Sequence, residues 1–241
     1  MRISRIFCVQ KLEPGKEIEL GEAVCRYVTQ VLRLRQHQTL VLFDGSGCDF
    51  EAELLRCDRR GCKVRIRHLI SREQRARLQL HLGIGISRGE RMDVAIQKSV
   101  ELGINAITPL FTERSMVRLK PGRLDKRMTH WQGVITSACE QSGRSLLPIL
   151  NPPSRLADWL GEHPGGLMLY HKAGPTLATV PAPGDKLNLL IGPEGGLSES
   201  ERSQAILSDF APVRLGPRVL RTETAPIAAL AAIQILWGDF R

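Results

Sequence analysis

The chain has 241 residues, of which 42 % are hydrophobic and 24 % are charged, an ordinary balance for a globular protein of one large or two modest domains. No apolar stretch approaches the ~20 residues of a membrane-spanning helix, and the N-terminus lacks the apolar block of a signal peptide, so we expect a cytoplasmic protein. Six cysteines and six histidines are scattered without zinc-site spacing, which predicts neither a metal centre nor a disulfide framework.

The net charge of +9 is concentrated in the first third of the chain. Residues 1–75 hold 15 Lys and Arg against 10 Asp and Glu, and basic side chains crowd residues 56–67 and 114–127. Such runs attract polyanions, because neutralising phosphates is the main source of nonspecific nucleic-acid affinity. A solvated basic surface is the alternative. With a pI near 9.6, composition alone leaves nucleic-acid binding at even odds with that alternative.

The first 72 residues have the pattern of a small, mostly β domain. The apolar residues 40–43 lead into Asp44-Gly45-Ser46-Gly47, and residues 48–55 alternate, so a hairpin is predicted. Residues 63–67 alternate basic and β-branched side chains, which predicts a strand with one basic and one buried face. The spacing of apolar residues in 22–34 predicts a helix. Together these elements form a barrel-like module with one helix.

A polar linker at residues 71–77 separates this module from a different architecture. Strand, helix and strand are predicted at residues 78–84, 91–102 and 106–111, a spacing that implies a parallel sheet. Further elements follow in order: a long helix at 124–142 and strands at 167–170, 187–191 and 213–215. Ser198 and Glu201 are spaced as a capping box, and the final helix is predicted to start near Thr224 with Pro226 in its first turn.

Two apolar runs end in glycine-containing turns, Gly192-Pro193-Glu194-Gly195-Gly196 and Leu215-Gly216-Pro217-Arg218. Glycine lets backbone approach a ligand closely, so two such turns next to helix starts are typical of a ligand pocket in α/β proteins. A phosphate loop is excluded because no Gly-Lys-Ser/Thr follows, and Gly83-x-Gly85-x-x-x-Gly89 misses the dinucleotide spacing. The alternative for residues 192–196 is an ordinary β-α turn.

Polar residues next to the second turn are candidates for chemistry. Arg221, Thr222 and Glu223 stand between a strand end and a helix start, where Arg221 is either an anion clamp or the salt-bridge partner of Glu223. Glu140 and Arg144 are four residues apart, which predicts either an i,i+4 ion pair or a contribution to the site. Cys139 has no evident base nearby in the sequence and is interpreted as a small buried residue.

Taken in order, several stretches make the sequence recognisable. They are Arg88-Gly89-Glu90-Arg91-Met92, Gln97-Lys98-Ser99-Val100-Glu101-Leu102-Gly103, Cys139-Glu140-Gln141-Ser142-Gly143-Arg144, residues 191–196 and residues 215–225. They closely resemble the bacterial ribosomal RNA small subunit methyltransferase E family. The resemblance spans the whole chain and includes Arg2, Arg5, Ile6 and Phe7 at the start and Leu42-Phe43-Asp44-Gly45 in the hairpin.

The resemblance implies an enzyme that uses S-adenosylmethionine to methylate N3 of a uridine in 16S rRNA, position 1498 in the usual rRNA numbering. It implies an α/β fold in which a SPOUT-type trefoil-knotted methyltransferase domain with a parallel sheet, residues 73–241, follows a small PUA-like β-barrel RNA-binding domain, residues 1–72. A knot departs from the general rule for protein chains. The implied partners are 16S rRNA in the small ribosomal subunit and a second copy of the chain, with no membrane and no metal.

The same resemblance assigns roles to individual residues. The implied cofactor-binding residues are Leu169, Tyr170, Gly192, Pro193, Glu194, Gly195, Leu215, Gly216, Leu220 and Thr222. The catalytic candidates are Arg221, for charge on the uracil oxygens, and Glu223, Glu140 or a water for the N3 proton, a choice that the sequence leaves open. The RNA-contact candidates are Arg2, Arg5, Arg33, Arg114, Arg118 and Arg144. Tyr170 is either a base-stacking residue or part of the core.

Two other functions fit parts of this pattern. One is a SPOUT methyltransferase that acts on tRNA or on a ribose 2′-hydroxyl. The other is a noncatalytic RNA-binding assembly factor, which the intact motifs at residues 192–196 and 221–224 disfavour.

Overall fold

The computed structural model describes residues 4–58, 61–115 and 121–240. The chain divides into two compact units, Met1–Arg75 with Cys139–Leu147, and Ala76–Ala138 with Pro148–Arg241. The first unit therefore includes a segment distant in sequence from its other residues, and each unit has its own sheet.

The first unit is built on a five-stranded sheet. Its elements are β1 (Arg5–Phe7), β2 (Glu17–Leu20), α1 (Glu22–Arg26), a wider helical turn at Tyr27–Val31, β3 (Thr39–Phe43), β4 (Cys48–Asp58) and β5 (Gly61–Arg72). The strand order is β1-β3-β4-β5-β2, with β1 parallel to β3 and the other neighbours antiparallel. The predicted hairpin is confirmed as β3 and β4, and β2 was not predicted.

Alternation along β5 matches the sequence pattern in part. Val64 and Ile66 are fully buried in the core of the first unit, while Arg65 and Arg67 are exposed, as predicted. The basic side chains of this face are not free, however, because Lys63 and Arg65 both pair with one acidic residue, Glu17. The strand also continues through Arg72, so the first residues of the predicted linker belong to the sheet.

The predicted helix at residues 22–34 is wrong at its C-terminal end. The regular α-helix stops at Arg26, and the turn Tyr27–Val31 hydrogen-bonds at a wider spacing. Arg33 has a φ of 53°, a left-handed conformation that no right-handed helix accommodates. The apolar spacing therefore identified the buried face, with Cys25 and Val28 inside, but not the point where the helix ends.

The second unit is built on a parallel sheet of seven strands. Its elements are β6 (Gln79–Gly85), α2 (Glu90–Glu101), β7 (Ala106–Phe111), α3 (Pro121–Ser142, whose last residues belong to the first unit), β8 (Ile149–Leu150), β9 (Ser154–Arg155), α4 (Leu156–Glu162), β10 (Gly166–Leu169), β11 (Lys186–Ile191), α5 (Glu199–Leu207), β12 (Phe210–Val213) and α6 (Thr224–Leu236). The order is β12-β10-β11-β6-β7-β8, and β9 also pairs with β7. The predicted strand-helix-strand unit is confirmed as β6, α2 and β7. Gly103, with a φ of 85°, follows the end of the helix α2.

The predicted strand at residues 213–215 is wrong in its position along the chain. The strand is Phe210–Val213, entered through Asp209 with a φ of 64°, and Arg214 makes only an isolated bridge to Thr176. Phe210 and Val213 are buried, but Ala211 is exposed, which is typical of a strand at the edge of a sheet.

The helix starts agree better with the sequence. The capping box is confirmed: Ser198 Oγ accepts a bond from Glu201 N, and Glu201 Oε2 accepts one from Ser198 N. Helix α6 begins at Thr224 after Glu223, with Pro226 buried in its first turn, where the missing N–H has no intrahelical partner. No helix in the described residues is both long and apolar enough to span a bilayer.

Candidate active site

A cavity of about 560 Å³ lies in the second unit at the carboxyl ends of its parallel strands. Three chain segments form most of its wall: residues 169–171 after β10, 191–197 after β11, and 213–225 between β12 and α6. Arg91, Arg114 and Arg202 complete it. Its volume lies within the range of ~300–1,000 Å³ of small-molecule sites, and the carboxyl edge of a parallel sheet is where α/β proteins bind ligands.

The glycine loop after β11 folds back on itself so closely that side chains are excluded. A β-carbon on Gly192 would lie 2.9 Å from the Leu197 nitrogen. A β-carbon on Gly195 would lie 3.0 Å from the β-carbon of Arg114, whose guanidinium donates to the Gly195 carbonyl at 3.2 Å. Gly196 has a φ of 67°. The glycines therefore bring bare backbone to the cavity wall.

Glu194 is anchored at one oxygen and unpartnered at the other. Its Oε1 accepts bonds from the Arg88 backbone N–H at 3.0 Å and from Arg91 Nη1 at 3.3 Å. Its buried Oε2 has no hydrogen-bond partner among the residues that the structure describes. Burial alone would raise the pKa of Glu194, but the bonds from Arg88, its own N–H, Ser87 and Arg91 hold the pKa below its usual value. The carboxylate is therefore ionised at neutral pH.

Residues 221–223 bring charge and hydroxyl groups to the other wall. Arg221 is exposed and lines the cavity, and its carbonyl accepts the N–H groups of Thr224 and Ala225 at the start of α6. Thr222 is buried, and Glu223 Oε2 is buried with no hydrogen-bond partner in the described part of the chain. Among the described residues, no hydrogen bond joins Glu223 Oε2 to Arg221, and the role of Arg221 as an anion clamp stays a prediction.

The structure brings together nearly all the predicted cofactor-binding residues. Those that line the cavity are Leu169, Tyr170, Gly192, Pro193, Glu194, Gly195, Leu215, Leu220 and Thr222. Gly216, with a φ of 99°, shapes the third segment but is not part of the wall. Sequence reasoning missed Arg91 and Arg202 as wall residues, although Arg91 lies within one of the recognised motifs.

Glu140 is the predicted catalytic residue that the structure places in the first unit. Its Oε1 accepts a bond from the Phe7 backbone N–H at 3.0 Å. Burial raises the pKa of Glu140 above its usual value, although Phe7 and Arg5 lower it. The prediction that Glu140 and Arg144 share one helix face is wrong, because α3 ends at Ser142; the Arg144 guanidinium pairs with Glu73 at 3.6 Å. A role for Glu140 as proton acceptor stays a prediction.

The predicted RNA-contact residues have different surroundings. Arg5 is largely buried, pairs with Asp49 and donates to the Arg144 carbonyl at 3.0 Å, so its charge is engaged inside the first unit. Arg33 and Arg114 are exposed. Arg2 and Arg118 lie outside the described residues.

No cysteine of the described residues lines this cavity. Cys139 is fully buried, as predicted, and burial raises the pKa of its thiol to about 11. Within residues 4–58, 61–115 and 121–240, no three His, Cys, Asp or Glu side chains are grouped so that they could hold a metal ion.

The parallel sheet and the cavity at its carboxyl edge identify the class of protein. Residues 74–234 match the family model described as an RNA methyltransferase domain, and the chain belongs to that class. It belongs more specifically to the ribosomal RNA small subunit methyltransferase E family. A member from Buchnera aphidicola subsp. Schizaphis graminum is 36 % identical over 99 % of this chain and 98 % of its own length.

Two similar solved structures contain the methyl donor. One is a protein of Legionella pneumophila described as a methyltransferase in complex with the cofactor S-adenosylmethionine, 38 % identical with a TM-score of 0.96 over 100 % of both chains. The other is a ribosomal RNA small subunit methyltransferase E from Neisseria gonorrhoeae bound to S-adenosylmethionine, 37 % identical with a TM-score of 0.92 over 100 % of both chains.

Proposed function

We propose that this enzyme uses S-adenosylmethionine to methylate N3 of one uridine in 16S rRNA of the small ribosomal subunit, in the bacterial cytoplasm. Family membership supports the reaction class, and the target is the one that the family resemblance implies. The observation that carries the proposal is that the glycine loop 192–196 and residues 221–223 line the same cavity. A cofactor cradle and charged groups for substrate chemistry are then adjacent.

The residues of the cavity fit S-adenosylmethionine in shape and in bonding capacity. Gly192 and Gly195 bring bare backbone to the wall, while Leu169, Ile191 and Leu220 provide apolar surface. The residues Glu194 and Glu223 also line the cavity, and we assign their carboxylates as acceptors for donors of a bound ligand. When bound, the cofactor supplies an electrophilic methyl group.

Catalysis by this chain must deal with a weak nucleophile, since uracil N3 carries a proton. Arg221 is the group that we assign to negative charge building on the uracil oxygens, a role in which a positioned donor contributes ~10²–10³ in rate. The N3 proton goes to Glu223 or to a bound water. Holding N3 in line with the methyl carbon supplies further rate. The uridine must present its Watson–Crick edge, so an unpaired or flipped base is required.

We further infer that the second unit is trefoil-knotted. Strand β12 is at the edge of the sheet, yet the next element, α6, packs on α2. Helix α2 follows β6, which is the third strand from β12 in the sheet order. Gln234 of α6 donates to the Leu102 carbonyl just after α2 at 2.9 Å. The connecting residues line the cavity beside residues 169–171 and 191–197, so this path crosses the carboxyl ends of β10 and β11.

A homodimer is the oligomeric state that we propose. Helix α6 is almost entirely apolar. Its residue Ile235 is 59 % exposed, and Val219, in the segment before the helix, is 73 % exposed. Val219 lines the cavity, whereas Ile235 lies near the other end of α6; exposed apolar side chains of this kind are available for an interface between copies. We also propose that the first unit, mostly antiparallel and rich in basic residues, is a PUA-like RNA-binding domain.

The decisive experiment is transfer of a tritiated methyl group to small ribosomal subunits that lack the modification, compared with naked 16S rRNA and bulk tRNA. Label in 16S rRNA, recovered as N3-methyluridine, is the expected result. Label in tRNA alone, or in a ribose 2′-O-methyl nucleoside, would overturn the target assignment. Absence of transfer to every RNA would favour the noncatalytic assembly factor.

A further inference from the structure

We propose that Arg202, in the first turn of α5, is a positioning residue that ties the loop after β10 to the loop after β11 and thereby sets the shape of the methyl-donor cavity. Both loops supply wall residues. Their strands are paired neighbours in the sheet, with Met168 opposite Leu190, so the link through Arg202 acts on the residues beyond this last pair. The proposal rests on the assignment of this cavity to S-adenosylmethionine made above.

The Arg202 guanidinium contacts both loops at once. Its Nη1 donates to the Leu197 carbonyl at the end of the glycine loop at 2.6 Å. Its central carbon lies 4.8 Å from the ring centre of Tyr170, the first residue after β10. The first contact is a short, charge-assisted hydrogen bond, and the second is within the ~6 Å range of a cation–π interaction.

The first turn of α5 is held rigidly enough for this task. The buried Glu201 accepts the Ser198 N–H at Oε2 and the Glu113 N–H, in the loop after β7, at Oε1, both at 2.8 Å. Glu201 and Arg202 together therefore connect the segments that follow β7, β10 and β11. These three segments begin at the same edge of one parallel sheet, and a single helical turn links residues of all three beyond the ends of the strands.

This arrangement also assigns a role to Tyr170. Arg202 covers one face of the ring, and the His171 ring stands edge-on at 5.5 Å between centres. A ring held between two neighbours serves as the anchor of its loop, so the proposal excludes Tyr170 as the residue that stacks on the target base. Arginine is needed at 202 because its planar fork donates along its edge while its face covers the ring, which an ammonium group cannot do simultaneously.

The test is a double-mutant cycle in affinity for S-adenosylmethionine, measured by calorimetry on wild type, R202Q, Y170L and the double variant. If Arg202 acts through Tyr170, Y170L lowers the affinity less in the R202Q background than in wild type. The double variant should then bind within about 3-fold of R202Q alone. We expect R202Q to weaken binding by roughly 10- to 100-fold and Y170L by roughly 3- to 30-fold, from the typical sizes of the two contacts. Losses that multiply fully would overturn the proposal.

Kinetics separate positioning from general damage to the fold. R202Q should raise KM for S-adenosylmethionine by a similar factor while kcat at saturating cofactor stays within about 3-fold, and R202K should restore part of the affinity. Q204A, on an exposed position of the same helix, is the matched control and should behave as wild type. A fall in kcat with KM unchanged would contradict a positioning role.

Failure of this proposal is distinguishable from failure of the cavity assignment. If Gly195→Val leaves cofactor affinity unchanged, the cavity is not the methyl-donor site and both inferences fall. If Gly195→Val abolishes binding while the Arg202 and Tyr170 losses multiply, the cavity stands and only the link through Arg202 falls.

Discussion

Pro193 lies against Gly85 so closely that a β-carbon on Gly85 would stand 2.5 Å from both the Pro193 Cδ and its nitrogen. The last residue of β6 is therefore in direct contact with the glycine loop 192–196. Gly85→Ala forces that loop to move, since the atoms it meets are a ring and a backbone nitrogen. We expect overpacking to lower the free energy of unfolding by ~1–3 kcal/mol and to weaken cofactor binding. Urea unfolding and calorimetry measure both, with Gly184→Ala, in open space, as the control.

Gly195→Val should abolish measurable binding of S-adenosylmethionine while the protein stays folded. A β-carbon at 195 already lies 3.0 Å from that of Arg114, and a branched side chain must push the loop or the arginine out of place. The change is made on a loop rather than in the core, so the thermal midpoint should fall by only a few degrees. Gly184→Val is the matched control, and retained affinity in Gly195→Val would remove residues 192–196 from the cofactor site.

Arg221→Ala should slow methyl transfer far more than it weakens cofactor binding. A donor that acts on charge developing in the transition state contributes ~10²–10³ to the rate, whereas its loss leaves ground-state contacts of the cofactor in place. Single-turnover transfer and calorimetry on the same preparation measure the two effects. Arg77→Ala removes an arginine of the same unit whose side chain is 95 % exposed, and should have neither effect. An unchanged single-turnover rate for Arg221→Ala would remove Arg221 from the mechanism.

His81 should make the fold sensitive to mild acid. Burial, with the nearby His163 ring at 4.5 Å, lowers the pKa of His81 from 6.5 to about 4, so the folded protein keeps this ring neutral. The unfolded chain binds the proton below about pH 6.5, so the stability is complete above that pH and is lost as the pH falls toward 4. The loss is at most about 3 kcal/mol.

Urea unfolding at pH 7.5 and pH 4.5 measures that loss. His81→Gln should reduce the difference in stability between the two pH values, whereas His68→Gln, at an exposed position, should leave it as in wild type. An identical pH dependence in His81→Gln and wild type would show that other groups cause it.

Ile235→Glu should convert the proposed dimer to a monomer. Ile235 is 59 % exposed on the apolar helix α6, and a carboxylate there would lose its hydration at an interface. Sedimentation velocity measures the change. Ile206→Glu is the matched control, since Ile206 is 52 % exposed on α5, and a monomer in wild type would refute the proposed dimer.

Local chemistry made much of this fold predictable. The hairpin turn at Asp44, the capping box at Ser198 and the glycine stop at Gly103 each depend on neighbours within four residues, and all three are confirmed. The shifted strand β12 shows the limit of such reasoning, because its register depends on pairing with β10, some forty residues earlier in the chain.

The parts of the site that consist of backbone in a glycine loop could be predicted from the sequence. The parts that depend on side chains far apart in the sequence could not. The composition of residues 192–196 predicts a glycine turn, whereas the sequence around Glu201 and Arg202 predicts only an ordinary helix start. Their importance lies in bonds to Leu197 and Glu113, and the second of these spans 88 positions along the chain. Likewise, nothing near Glu140 in the sequence indicates that the amide of Phe7 binds it.

The carboxylates beside the basic face of β5 have a consequence for how RNA affinity responds to ionic strength. Lys63 and Arg65 share Glu17, and Arg67 has Glu53, so these three cations together present one uncompensated positive charge to a phosphate. The logarithm of RNA affinity falls with the logarithm of salt concentration in proportion to the number of phosphates neutralised. That slope should therefore count only the basic side chains without an acidic neighbour, and be shallower than the number of Lys and Arg in residues 56–67 would suggest.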